Sequence, residues 1–133
     1  MAEGKVLTGA GLRGQVAGKT ALSTVGKSGA GLTYRGYDVQ DLAENCQFEE
    51  VAYLIFFGEL PTAAQLTAYK AKLKSLRQLP QALKEVLERI PADSHPMDVM
   101  RTGVSMLGNL ETEQSFAEQQ DVADRILAML PAI

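Results

Sequence analysis

Few side chains in this 133-residue chain have the types and spacing that chemistry requires. Gly9, Gly11 and Gly14 stand at the spacing G-x-G-x-x-G. A dinucleotide site needs that pattern at a turn from strand into helix, so that the helix N-terminus faces a pyrophosphate. Here Gln15-Val16-Ala17-Gly18-Lys19 follows, with a further glycine, no helical stripe and no later β-α-β alternation. The glycines therefore predict no cofactor site. Gly18-Lys19-Thr20 and Gly26-Lys27-Ser28 have the letters that end a phosphate-binding loop. That loop needs a glycine five residues ahead of the glycine–lysine pair, and Arg13 and Ala21 stand there instead. Both triplets read as turns.

His95 is the sole histidine and Cys46 the sole cysteine, which excludes an internal disulfide, a thiolate metal cluster and a histidine metal cluster. Ser94-His95-Pro96-Met97 opens a helical pattern, so His95 reads as a structural cap or a core-edge residue. No nucleophile elbow accompanies it to make a hydrolytic triad. Met97, Met100 and Met106 lie on or beside the apolar stripe of that helix and read as core filling. The densest polar motif is Tyr34-Arg35-Gly36-Tyr37-Asp38. Its arginine can hold an anion, or it can pin an N-terminal hairpin to the helices that follow. The structural role is the favoured reading. The residues predict no catalytic group and no metal ligand.

The elements that would position these residues follow from patterning. A chain that is 46% hydrophobic and 22% charged can fold around a core, and its length suits one domain. A net charge of −3 argues against a nucleic-acid platform. No apolar run approaches the ~20 residues of a membrane span, and the first residues lack the apolar core of a signal peptide. With one free thiol, these features predict a soluble, cytoplasmic protein. Residues 1–37 read as a glycine-rich arm and a two-stranded hairpin, with strands at Thr20–Val25 and Leu32–Tyr34 around the turn 26–31. Residues 38–133 read as about six helices. Asp38 caps the first, which stops near Asn45. Phe48–Phe57 is the second, with Glu49 and Glu50 in its first turn and Gly58 behind it. Thr62 and Gln65 have capping-box spacing for the third, whose stripe is Leu66, Tyr69, Leu73 and Leu76, with the lysines on a solvated face. Pro80 opens a fourth, with Leu83, Val86, Leu87 and Ile90 on its apolar face, and Pro91 ends it. The fifth runs from His95 to Gly108-Asn109, residues 110–120 read as a loop, and the sixth spans Asp121–Leu130.

The order of motifs goes further. Gly11-Leu12-x-Gly14-x-Val16-Ala17, then Leu32-x-Tyr34-Arg35-Gly36-Tyr37-Asp38, then Phe48-Glu49-Glu50-Val51-Ala52-x-Leu54 and Gly58-x-Leu60-Pro61 resembles the N-terminal region of the citrate synthase family. Val25-Gly26-Lys27-Ser28-Gly29 and the run from His95 to Ser105 look closest to its 2-methylcitrate synthases. The resemblance covers nearly the whole chain from about Gly11. It implies a mainly α protein, here part of the large helical domain of the citrate synthase fold, in a homodimeric enzyme. That enzyme would condense propionyl-CoA, or alternatively acetyl-CoA, with oxaloacetate and release CoA. The coenzyme A thioester is then substrate, and no separate cofactor or metal is needed. The family mechanism uses two histidines and one aspartate, with arginines on the oxaloacetate carboxylates. Members are several times longer than this chain, and those residues fall beyond Ile133. His95 matches the family's His-Pro-Met element and carries no catalytic role. Arg13 matches a loop arginine that approaches the CoA phosphates in some members. The resemblance thus implies the N-terminal third or so of an enzyme, inactive alone, with apolar faces exposed along 97–107 and 122–133 where packing partners would be missing. The competing expectation is a self-contained helical interaction module.

Overall fold

The computed structural model describes residues 18–26 and 31–133. Three short strands, β1 (Ser23–Val25), β2 (Leu32–Tyr34) and β3 (Tyr37–Asp38), precede six α-helices. These are α1 (Val39–Asn45), α2 (Phe48–Phe57), α3 (Ala63–Ser75), α4 (Gln81–Leu87), α5 (Pro96–Leu110) and α6 (Gln119–Met129). The protein is mainly α, as the patterning predicts.

The sheet is antiparallel in the order β1-β2-β3, so the hairpin has a third strand that the sequence reading lacks. Tyr34 pairs with Tyr37, which leaves Arg35-Gly36 as a two-residue turn. Both turn residues have positive φ, +51° and +93°. That is the hairpin turn whose twist matches its strands. Glycine takes such a φ freely, whereas arginine does so at a cost. Three hydrogen bonds offset that cost. The Arg35 N–H donates to the Leu22 carbonyl at 2.9 Å, and its guanidinium donates to Ile55 in α2.

Helix boundaries follow local capping. The Asp38 carboxylate accepts from the Gln40 N–H at 2.7 Å. In α3, Thr62 and Gln65 form the expected reciprocal box, at 2.8 and 3.3 Å. In α2 the Glu50 carboxylate accepts from the Gln47 N–H at 2.7 Å, which adds a contact the sequence reading missed. Gly58 closes α2 with φ +92°. Pro80 lies one position outside α4, which ends at Leu87 and leaves Ile90 in the turn beyond. Helix α5 continues past Gly108 and Asn109 to Leu110. The stretch read as a loop is shorter than expected, because Phe116–Glu118 forms a 3-10 turn and α6 begins at Gln119.

Two linked apolar clusters form the core. Tyr69 and Leu73 of α3 bury with Ala128 of α6, and Ala52 and Tyr53 of α2 pack against them. The rings of Tyr53 and Phe57 both meet Tyr69 edge-on, at 5.4 and 5.8 Å between centroids. Leu83 of α4, Leu107 of α5 and Met129 of α6 form the second cluster. Met129 belongs to a segment expected to expose an apolar face, yet it is 0% exposed. Along 122–133 the expectation holds only in part: Ala128 and Met129 are buried because α6 packs on α3 and its last turn reaches α5, while Val122, Ile126, Leu127, Leu130 and Ile133 are half-buried. There the Ile133 side chain occupies the space beside Gly103, where a Cβ would come within 2.6 Å of it. On 97–107, Met97 is exposed but Leu107 is buried.

Candidate functional site

The residues singled out by sequence are dispersed. Gly9–Gly14, Arg13 and Lys27-Ser28 lie outside the described residues. His95 is the N-cap of α5, and its Nδ1 accepts from the Met97 N–H at 3.1 Å, which bears out the structural reading. Arg35 acts as the pin. Its Nη2 and Nε donate to the Ile55 carbonyl at 2.8 and 3.3 Å. That carbonyl lies in the last turn of α2, where helix carbonyls lack intrahelical partners and cations are favoured. The last turn of α2 contains no basic residue of its own. The turn of the hairpin supplies one from 20 residues away.

The most concentrated polar constellation joins α3 to α6. Asp124 is fully buried. It accepts from the Tyr69 hydroxyl at 2.8 Å, from Lys72 Nζ at 2.7 Å and from Gln120 Nε2 at 3.3 Å. Lys72 also donates to Asp121 at 2.9 Å. The spacing explains the match, since Tyr69 and Lys72 are three apart on one helix, as are Asp121 and Asp124 on the other. Residues three apart share a helix face. Burial, and then the hydrogen bond to Asp124, push the Tyr69 hydroxyl's pKa well above its usual range. Hydrogen bonds to Asp124 and Asp121 raise Lys72. A tyrosine and a lysine so held keep their protons. The group is a satisfied joint between α3 and α6. Sequence reading had placed Tyr69 on the apolar stripe and Lys72 on a solvated face, and the paired three-residue spacings were the available signal.

A second joint centres on Arg125 of α6. Its Nε and Nη2 meet both oxygens of Glu111, at 2.9 and 2.6 Å. Its Nη1 donates to the Leu76 carbonyl and to the Gln78 carbonyl, the latter at 3.1 Å. The Arg125 hydrogen bonds hold the Glu111 carboxyl below its ordinary value, and Glu111 in turn raises Arg125. One guanidinium thereby ties the end of α3, the end of α5 and α6 together. Nothing in the sequence signals this pairing across 14 residues.

Beside this joint lies a cleft of about 470 Å³ between α5 and α6. Its lining includes the apolar Val104, Leu107, Val122 and Ile126 and the acidic Glu113, Glu118 and Asp121. Its lining includes neither histidine nor lysine, and its one arginine is Arg125, already engaged. Among the described residues no group of three or more His, Cys, Asp or Glu could hold a metal ion, and no helix is long and apolar enough to cross a membrane.

Residues 11–133 match the family model described as "Citrate synthase, C-terminal domain". Over 133 residues the chain is 77% identical to the 2-methylcitrate synthase of Shewanella oneidensis, covering 100% of this chain and 36% of that protein. It is 44% identical over 126 residues to a citrate synthase of Mycolicibacterium smegmatis, covering 92% of this chain and 33% of that one. Among solved structures, the citrate synthase of Thermoplasma acidophilum, in ternary complex with carboxymethyl coenzyme A and oxaloacetate, superposes with a TM-score of 0.79. That match has 27% identity and covers 89% of this chain and 32% of that one. The chain thus spans about a third of the length of the relatives it matches. Matching in sequence over nearly its whole length and in the packing of its helices, this chain belongs to the citrate synthase family.

Proposed function

We propose that this chain is the N-terminal part of an enzyme that condenses propionyl-CoA with oxaloacetate. A carbon–carbon bond forms between the α-carbon of the thioester and the oxaloacetate carbonyl. Water then cleaves the thioester, giving 2-methylcitrate and free CoA. The observation that carries this reading is the 77% identity to a 2-methylcitrate synthase along the entire chain. The 44% identity to a citrate synthase supports a second reading, with acetyl-CoA as acyl donor. In both, the part described here contributes packing and the catalytic residues come from the remaining two-thirds of the family's length. Arg13 is the candidate contact to the CoA phosphates. We further infer a homodimer acting in the cytoplasm, in propionate catabolism, with no cofactor beyond the CoA thioester.

A thiol-release assay tests the proposal. Purified 1–133, mixed with propionyl-CoA and oxaloacetate, is expected to release no CoA. A longer protein carrying the family's full length after Ile133 is expected to release it, faster from propionyl-CoA than from acetyl-CoA. Turnover by 1–133 itself would overturn the assignment of the chemistry to residues elsewhere. A preference for acetyl-CoA would select the second reading.

A further inference from the structure

The cleft beside the Arg125 joint is lined by a glycine that the packing of this chain does not explain. Helix α5 contains Gly103 and Gly108. At Gly103 the Ile133 side chain fills the space a Cβ would take, at 2.6 Å. At Gly108, which lines the cleft, a Cβ would meet no atom within 4 Å. Glycine weakens a helix relative to alanine, and what it permits in return is close approach to the backbone. Among the described residues none makes that approach at Gly108. Helix α5 packs on α4 and α6 packs on α3, so the cleft lies between two helix pairs. Val104, Val122 and Ile126 line it half-buried. Of the lining carboxylates, Glu111 is paired with Arg125 and Asp121 with Lys72. Glu113 and Glu118 are exposed, and among the described residues neither forms an ion pair.

We propose that this cleft seats an amphipathic helix from the remaining two-thirds of the enzyme. The apolar stripe of that helix lies against Val104, Val122 and Ile126, its backbone comes closest at Gly108, and a lysine or arginine on its flank meets Glu113 and Glu118. A helix laid by its apolar face into a groove is a recurring mode of recognition, and the two spare carboxylates select a cationic flank. The inference rests on the reading of this chain as part of a longer synthase. The chain covers 36% and 33% of the relatives it matches, so most of the family's length is available to supply the helix. Charge disfavours a second copy of the same face. A two-fold contact sets one patch against itself, which would bring Glu113 and Glu118 against their own counterparts, and like charges across an interface repel.

Thiol labelling is the test. Val104→Cys is a small change in the lining, and its modification by a maleimide is followed at that residue by mass spectrometry. In 1–133 the thiol should react readily. In the longer protein carrying the family's full length it should react many-fold more slowly. Adding Glu113→Lys and Glu118→Lys to the longer protein should return much of the reactivity, and so should Gly108→Leu, which fills the place of closest approach. These positions are exposed, so in 1–133 none of the changes should lower the urea midpoint, which separates lost docking from lost folding. Equal labelling of Val104→Cys in the two proteins overturns the proposal, as does protection that survives both the charge reversals and Gly108→Leu. Protection in 1–133 that grows with protein concentration would give the cleft to a second copy and overturn it too. Docking and reaction fail separately. Release of CoA by the longer protein with a freely reactive Val104→Cys sinks only the docking, whereas a protected thiol without CoA release sinks only the reaction.

Discussion

At the scale of the residue, the informative feature is Asp124, a fully buried carboxylate whose donors come from two helices. Burying a charge is costly unless it is paired and hydrogen-bonded. Here Lys72 supplies the opposite charge and Tyr69 a further hydrogen bond. The two partners should differ when removed. Lys72→Met strands the carboxylate without its countercharge, and we expect a loss of about 3 kcal/mol, the low end for such pairs because Lys72 is itself part-exposed. Tyr69→Phe removes one hydrogen bond while leaving the ion pair, at a cost of about 1.5 kcal/mol. Urea unfolding followed by circular dichroism measures both. Equal losses would contradict the ordering of charge over hydrogen bond.

At the scale of the element, Arg35 shows how one side chain can serve two pieces of secondary structure. Its backbone makes the sheet turn, and its side chain satisfies a carbonyl at the end of α2. Arg35→Ala should therefore loosen the sheet from α2 and lower stability by about 1.5 kcal/mol, the worth of a hydrogen bond from a charged group. Hydrogen exchange should show the gain in opening at Thr33 and Tyr34, with α4 and α5 unaffected. Uniform acceleration across all helices would mean that the pin is global. The motif was legible in sequence as a pin. Its acceptor was not, because a backbone carbonyl leaves no mark in the residue types of α2.

At the scale of the whole molecule, Arg125 links three helices through one guanidinium, and Glu111 is its anionic partner. The Glu111 carboxyl is depressed in the folded state from an ordinary value of 4.5. A group depressed by folding contributes stability that is fully present above its unfolded value and is lost as pH falls through its folded value. Unfolding midpoints should therefore decline on acidification below about pH 4.5. Glu111→Gln should be less stable at neutral pH and should show a shallower decline across that acid window. A variant with the same acid slope as the parent would show that other carboxylates carry the transition.

The sequence by itself determined the helix count, most caps and the family. Those depend on local chemistry: a carboxylate before a helix, a glycine after one, and apolar residues at helical spacing. The motif order from Gly11 to Ser105 was enough to identify the family. Tertiary structure alone decided where the polar side chains act. Lys72 reads as solvated until α6 brings Asp124 beneath it, and the 122–133 segment reads as unpartnered until its last turn reaches Gly103. Both outcomes depend on how helices cross, and crossing is set by packing among residues distant in sequence.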